Sequence, residues 1–563
     1  MASTSWPLTH LAIVAVTIGL WRYGPQSLPV VRFGLLGCFA ILYAAGFAIW
    51  LVYARFIWPL WLSPLTKLPQ PKGGNWLNGH FWEIFMAGQG EVERVWIHEM
   101  PSAGFIYYRS ILNTPRVVAT TPKAVQEICT RTNEFIKPAL VKGLAGRVLG
   151  AGLVLSELAQ HKWQRRVFLP IFAPRHTREM FPIFWRKTRQ VTQKLAKFVS
   201  ETSSQSHGDD AVFEVGHWAS RTALDIVTMA TLGEDFGSIQ DENAPLAKTY
   251  RRAIEPSRGH IVHALLKVWL PQRLVDLAPN RWNRTINESV PVFRNLCRRL
   301  LRERRQEAAN KSDLGKDLLS LCFRYEEVAG ADEEEVIDQM TTFLAAGHET
   351  ISVGITWAIY MLCLRPEWQT ILRKEARLHL PDPNAVEGIH DQEQIPMATH
   401  TNVDDMPMLQ AFIHEVLRWF PPIPHTLREP LQDTVIDGML IPKGTWIVLP
   451  IKGMNRDERC WGPDAKDFNP KRWLNPDSSF NTTGGCTNKY ADLSFMQGVR
   501  SCIAQGFSKS EMACVVGAWV GRFEFELADP ALLDVDRMKI SRGSLSARPR
   551  DGLFVKWRTV DGW

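Results

Sequence analysis

Paired cysteines are what this sequence most clearly lacks. Its nine cysteines are odd in number and scattered, with no C-x-x-C spacing, which argues against both a disulfide framework and a structural zinc site. Reduced thiols suit a chain whose bulk faces the cytosol. An excess of one charge is also missing. Lysine and arginine number 65 against 58 acids, and no basic stripe with interleaved aromatics appears, so nucleic acid is not an expected partner. There is no internal repeat, and no G-x-G-x-x-G follows a strand, so no flavin or nicotinamide segment is expected. Two stretches, HETIS at His348 and HEVLR at His414, begin like the H-E-x-x-H zinc helix but close on Ser352 and Arg418. Arginine has no lone pair to give a metal.

What the chain does have is apolar residues, 45% of 563, enough for a large core. Residues 33–54 run without a charge between Arg32 and Arg55, and roughly 20 apolar residues suffice to span a bilayer. This is the main expected membrane span. Residues 8–21 form a shorter candidate second span that holds His10. Arg22 and Arg32 precede the main span while Arg55, Lys67 and Lys72 follow it, which favours a body on the cytosolic side. Prolines at 59, 64, 69 and 71 predict a stiff extended hinge. The expected organisation is an anchor over 1–58, a hinge over 59–73 and one large domain over 74–563. The sequons at Asn283, Asn287 and Asn481 are chance matches if that domain is cytosolic.

Beyond the hinge, helical periodicity dominates and strands are few, giving a mainly α fold with a small β subdomain. Residues 289–309 read as a surface helix with an arginine face. Residues 433–450 read as short strands with turns at Asp437-Gly438 and Lys443-Gly444. Residues 333–364 are apolar almost all round, yet carry Asp338, His348 and Glu349, so a buried core helix is expected rather than a membrane span. Within it Ala345, Ala346 and Gly347 are small, and glycine there costs about 1 kcal/mol relative to alanine. Close approach of a flat group would account for them, as would packing of another helix. Thr350 can donate to the Ala346 carbonyl and bend the helix. The polar pair Glu349 and Thr350 is where a proton relay would sit.

In EVLR, Glu415 and Arg418 are three apart and face the same way on a helix. The apolar text around them, MLQAFIHEVLRWFPPIP, predicts a buried ion pair that needs further partners, with Arg472 of FNPKRW as the third member. In FMQGVRSCIAQG, Cys502 sits ahead of a predicted helix whose backbone N–H groups would favour a thiolate. Such a thiolate is a strong axial ligand for haem iron. Gly498 would let the loop approach the macrocycle, Phe495 would shield the sulfur and Arg500 would pair with a propionate.

Taken together, FMQGVRSCIA, AGHET, EVLR and FNPKRW resemble, in order and approximate spacing, the motifs of the cytochrome P-450 superfamily of haem-thiolate monooxygenases, and the look of the chain resembles its fungal microsomal members. Ala504 stands where that signature has a glycine. The resemblance implies a cytochrome P-450 fold over 74–563, one b-type haem with Cys502 as iron ligand, and propionate contacts at His161, Arg165 and Arg428. It implies oxygen activation with Glu349 and Thr350 guiding protons, and the structural triad Glu415, Arg418 and Arg472. Electrons would come from a separate NADPH-cytochrome reductase, with a cytochrome b-type protein as a second candidate donor. Lys162, Arg166 and Lys509 would face that partner. The substrate would be a lipophilic small molecule, the setting secondary-metabolite biosynthesis, and the location the endoplasmic reticulum membrane with the catalytic domain facing the cytosol. Two alternatives are a haem-thiolate rearrangement enzyme acting on lipid hydroperoxides and a haem sensor without turnover; neither has need of the acid–threonine pair.

Overall fold

The computed structural model describes the chain outside residues 1–5, 24–33, 101–103, 206–209, 255–261, 264–265, 268–269, 311–316, 321–331, 384–396 and 543–544. Arg32, Phe33 and Cys322 lie outside the described residues. Two compact units emerge: one of Met1–Met86, Val92–Ile136 and Thr426–Pro450, and one of Ala87–Glu91, Lys137–His425 and Ile451–Trp563.

The first unit opens with helices α1 (Trp6–Tyr23) and α2 (Gly34–Val52). Among the described residues only the run Leu35–Lys67 is long and apolar enough to cross a membrane, and very little of it is buried. The hinge expected from residue 59 begins later. After Val52 the helix widens into a π-helical stretch, Tyr53–Leu62, that carries Pro59 inside it. A 3-10 turn, Pro64–Lys67, follows, and the Ser63 hydroxyl accepts the Leu65 N–H at its start. Proline lacks an N–H to donate, and the looser winding accommodates its ring without a break. Extended backbone starts at Leu68. Tyr107 then ties the helix end to the sheet, its hydroxyl donating to the Pro59 carbonyl at 2.8 Å.

That sheet has five strands in the spatial order Phe105–Arg109, Pro115–Ala119, Trp446–Leu449, Thr426–Pro430 and Phe135–Ile136. Ile106, Tyr108, Val118 and Val448 pack there with Val92, Trp96 and Ile97. The strands expected in 433–450 are present. Thr434–Ile436 and Met439–Ile441 pair across Asp437 and Gly438, both at positive φ (48° and 78°), as a tight two-residue hairpin demands.

The second unit is mainly helical. Its principal helices are α3 (Leu158–Phe168), α4 (Pro174–Gln205), α5 (Val215–Leu232), α6 (Glu333–Leu364), α7 (Pro407–Trp419) and α8 (Gln505–Arg522). A three-stranded antiparallel sheet orders Ala211–Glu214, Phe554–Thr559 and Phe523–Leu527. The stretch 333–364 is the core helix α6, buried through nearly all of its second half. Trp357 on it stacks on Phe420 with ring centroids 4.1 Å apart and donates its indole N–H to the Ala547 carbonyl. The arginine-faced helix extends over Arg281–Asn310, and Arg294, Arg298 and Arg305 pair with Glu334, Asp338 and Glu333 of α6.

Of the two histidines of the zinc-like stretches, His348 is buried and His414 half-buried. His348 on α6 lies between the hydroxyls of Ser220 (2.7 Å) and Tyr250 (3.3 Å), and burial pushes its pKa down to about 4. On α7, His414 donates through Nδ1 to the Gln410 carbonyl and packs against Trp473 and Phe480; burial pushes it down to about 3. An unfolded histidine binds its proton near pH 6.5, so the unfolded chain takes up protons first and stability falls as pH drops from about 6.5 towards 4. The loss attached to His348 is on the order of 3 kcal/mol. Urea unfolding measured from pH 7 to pH 4 should therefore steepen on the acid side. His348→Gln should flatten that slope; an unaltered slope would contradict the buried neutral imidazole.

Candidate active site

Cys502 stands in a loop, three residues ahead of α8. The chain reverses through Met496 and Gly498, both at positive φ (57° and 76°), and glycine is the residue that takes this backbone without strain. The Cys502 N–H donates to the Phe495 carbonyl at 2.8 Å, closing the loop. Helix α8 begins at Gln505, and the expected help comes from the N–H of Ala504 at its cap. The surrounding protein holds the Cys502 thiol above its ordinary range by desolvation, although the Ala504 N–H, Arg165 and Lys509 pull the other way. Even so, the side chain itself is exposed. Cys38, Cys129, Cys297, Cys363, Cys460 and Cys514 are buried and Cys486 is intermediate. Cys514, further along α8, contacts the Thr188 hydroxyl at 3.5 Å, and burial pushes its thiol up to about 12.

Two arginines brace the loop. Arg165 on α3 donates to the Ser501 carbonyl (2.6 Å) and hydroxyl (3.1 Å). Arg500 donates to the Ser156 carbonyl at 2.8 Å and is ion-paired with Glu157. These bonds use two N–H groups on each guanidinium, which carries five. His161 is buried on α3. Lys509, expected at the surface as a docking cation, is half-buried with its ammonium 5.3 Å from the Phe495 ring centre, and burial lowers its pKa to about 8. Lys162 and Arg166 are exposed. Arg428 belongs to the first unit, where it is buried and donates to the Leu427 carbonyl and the Thr426 hydroxyl.

Helix α6 opens at one turn. Ala346 is exposed and Ala345, Glu349 and Thr350 are half-buried, while Leu344, His348 and Ile351 around them are buried. Gly347 serves helix packing: a Cβ there would meet Val227 Cγ2 of α5 at 2.7 Å. Of the small residues at this point, then, Ala346 marks the open face and Gly347 the packed one. Thr350 donates to the Ala346 carbonyl at 2.7 Å. The Glu349 carboxylate accepts the Ser546 hydroxyl at 2.5 Å.

Glu415 and Arg418 are both 0% exposed and fully bonded. The guanidinium makes two bonds to the carboxylate and donates to the carbonyls of Asn455, Ala465 and Asp467. Glu415 also accepts from Arg472 Nε (3.2 Å), the Asn469 N–H (2.8 Å) and the Trp473 indole (2.9 Å). Glu157, Ser501, Ser546 and Trp473 escaped the sequence reading. Each meets its partner across the fold, and nothing local marks it.

An exposed thiol in a braced loop, a core helix opened at an alanine, and arginines with donor capacity to spare form a donor set that fits an iron porphyrin bound through sulfur. The model of the cytochrome P-450 family matches residues 69–549, and the chain belongs to that family. Over 558 residues it is 48% identical to cytochrome P-450 monooxygenase buaD of Petromyces alliaceus, with 99% of each chain covered. Cytochrome P-450 monooxygenase sphH of Aspergillus fumigatus is 36% identical over 91% of this chain and 92% of its own. Cytochrome P-450 monooxygenase ptmK of Penicillium ochrochloron is 30% identical over 91% and 97%. The protein is a monooxygenase, an oxidoreductase of the haem-thiolate kind.

The ion pair makes a direct prediction. Arg418→Ala leaves a buried carboxylate without its main partner, at a cost of roughly 3 to 5 kcal/mol, read as a lower urea midpoint. Because Arg418 and the Cys502 loop share Asn455, amide exchange at Leu493–Cys502 should accelerate as well. Parent-like stability in Arg418→Ala and in Glu415→Gln would show the pair to be superficial.

Proposed function

We propose that this chain is a membrane-anchored monooxygenase that oxidises a lipophilic small molecule, with Cys502 as the ligand of a b-type haem. The observation that carries the reading is the exposed Cys502 side chain in its braced signature loop. Its sulfur would hold the iron, with Phe495 packed beside it and Gly498 keeping the loop low. Arg165, Arg500 and His161 would meet the carboxylates of the macrocycle. Bound in this way, the haem supplies reductive activation of oxygen for insertion into a C–H bond. Thr350 would steady a water on the open face of α6, and Glu349 would supply its protons. A sensor or a hydroperoxide rearrangement enzyme has no use for that pair, which favours the monooxygenase.

Electrons would arrive from an NADPH-cytochrome reductase or a cytochrome b-type donor, attracted by exposed cations such as Lys162 and Arg166. The apolar run Leu35–Lys67 would anchor the chain in the endoplasmic reticulum membrane with the catalytic part in the cytosol. An anchor of this kind keeps the enzyme where apolar substrates partition, and the fungal source of the relatives favours a step in secondary-metabolite biosynthesis.

Cys502→Ser tests the ligand. A hydroxyl cannot give thiolate donation, so the red-shifted Soret band of the reduced carbon monoxide complex should vanish; its survival would move the ligand elsewhere. Thr350→Ala tests oxygen activation. It removes one hydroxyl without opening a large cavity, so haem content and substrate binding should persist while peroxide grows at the expense of product per NADPH. Unchanged coupling would remove the threonine from the mechanism.

A further inference from the structure

On the side of α6 that carries Glu349 lies a polar cavity of 410 Å³, with room for roughly a dozen waters. Its lining includes Ser220, His217, His348, Glu349, Ser352 and Arg548, and Arg548 is exposed, so the cavity reaches solvent. Thr350 is not part of that lining. One residue along a helix turns about 100°, so Glu349 stands between the cavity and the face that Ala346 and Thr350 open.

Two other charged groups that line this cavity, Arg221 and Glu214, are engaged in its walls. Arg221 donates to the carbonyls of Ser238 and Ile239, and Glu214 accepts from the backbone N–H groups of Gly216, His217 and Leu553. Glu349 differs in that its carboxylate takes a side-chain hydroxyl, that of Ser546 at 2.5 Å. Ser546 is fully buried on a turn that is itself pinned. The Ser541 hydroxyl donates to its carbonyl at 2.7 Å, and the next residue, Ala547, donates to Pro422 and accepts from Trp357 of α6. A hydroxyl on such a turn keeps its position while its O–H rotates, so it can donate on one side and accept on the other.

We propose that Ser546 is a positioning residue that holds the Glu349 carboxyl at the floor of this cavity, which makes the cavity the route by which solvent protons reach the Glu349–Thr350 pair. The inference rests on the proton-supplying role given to Glu349 above. Each proton that Glu349 passes towards Thr350 is replaced by one from cavity water at the Glu349 carboxyl itself, which the Ser546 hydroxyl keeps in place by its hydrogen bond. No electron moves in this step, and the carboxyl returns to its starting state.

The test uses the haem-loaded full chain with a reductase, in the parent, Ser546→Ala, Ser546→Thr and Glu349→Gln. The infrared carboxyl band of Glu349, assigned by its loss in Glu349→Gln, should move in Ser546→Ala and return in Ser546→Thr. Peroxide formed per NADPH should rise about fivefold in Ser546→Ala, the effect of one lost hydrogen bond, and fall back in Ser546→Thr, with haem content and the substrate-induced spectral change unaltered throughout. An unmoved band and unchanged coupling in Ser546→Ala, while Glu349→Gln uncouples, would overturn the role of Ser546 alone. If Glu349→Gln also couples normally, the proton-supplying role of the acid fails, and this inference fails with it.

Discussion

Glu415 and Arg418 bury a full pair of charges, and the way that cost is offset organises much of the second unit. A guanidinium has five N–H donors, and Arg418 spends five bonds: two on Glu415 and three on the carbonyls of Asn455, Ala465 and Asp467. The carboxylate in turn draws in Arg472, Asn469 and Trp473. Desolvation of two ions is tolerable only when every remaining site is satisfied, so the segment from Asn455 to Trp473 has little freedom. That constraint passes on to the cysteine loop. The Asn455 side chain accepts the Leu493 N–H and donates to the Ser494 hydroxyl, which donates to the Leu417 carbonyl. The next residue, Phe495, supplies the carbonyl that holds the Cys502 N–H. A charge pair on α7 thus fixes where the loop carrying the thiol begins.

Helix α6 meets two demands that pull in opposite directions. It must be core, and its second half is, with Trp357 wedged against Phe420. It also opens at one turn. Gly347 lets α5 approach on one side, since any Cβ would strike Val227. Ala346 leaves the other side uncovered, and Thr350 turns its hydroxyl into the helix instead of across that face. Small residues therefore do two separate jobs within a single turn, packing at 347 and access at 346.

This division shows what the sequence could and could not disclose. The core helix was legible to the residue, because a stretch apolar almost all round that still carries Asp338, His348 and Glu349 reads as a buried core helix rather than a membrane span. The ion pair was legible from spacing and from the apolar text around it, and Arg472 from its place in FNPKRW. The hairpin at Asp437-Gly438 was legible from turn chemistry. Pro59 misled, because a proline signals a break unless the helix can widen, and no local pattern announces a π-helical stretch. The helix that follows Cys502 was legible only to within a few residues: α8 starts at Gln505, and the N–H of Ala504 at its cap is the backbone group that favours the thiolate. Glu157 and Ser546 were invisible for a different reason: their partners, Arg500 and Glu349, lie 343 and 197 residues away in the chain.

The position of Cys502 outside the helix has a chemical consequence. A cysteine becomes a reactive nucleophile when positive surroundings favour its thiolate, and Arg165 and Lys509 do act in that direction here. Desolvation by the surrounding protein outweighs them. Lys509 is itself half-buried, with its ammonium 5.3 Å from the Phe495 ring centre. Arg165 directs its hydrogen bonds to Ser501. The loop therefore gives Cys502 fixed geometry and access without making it acidic.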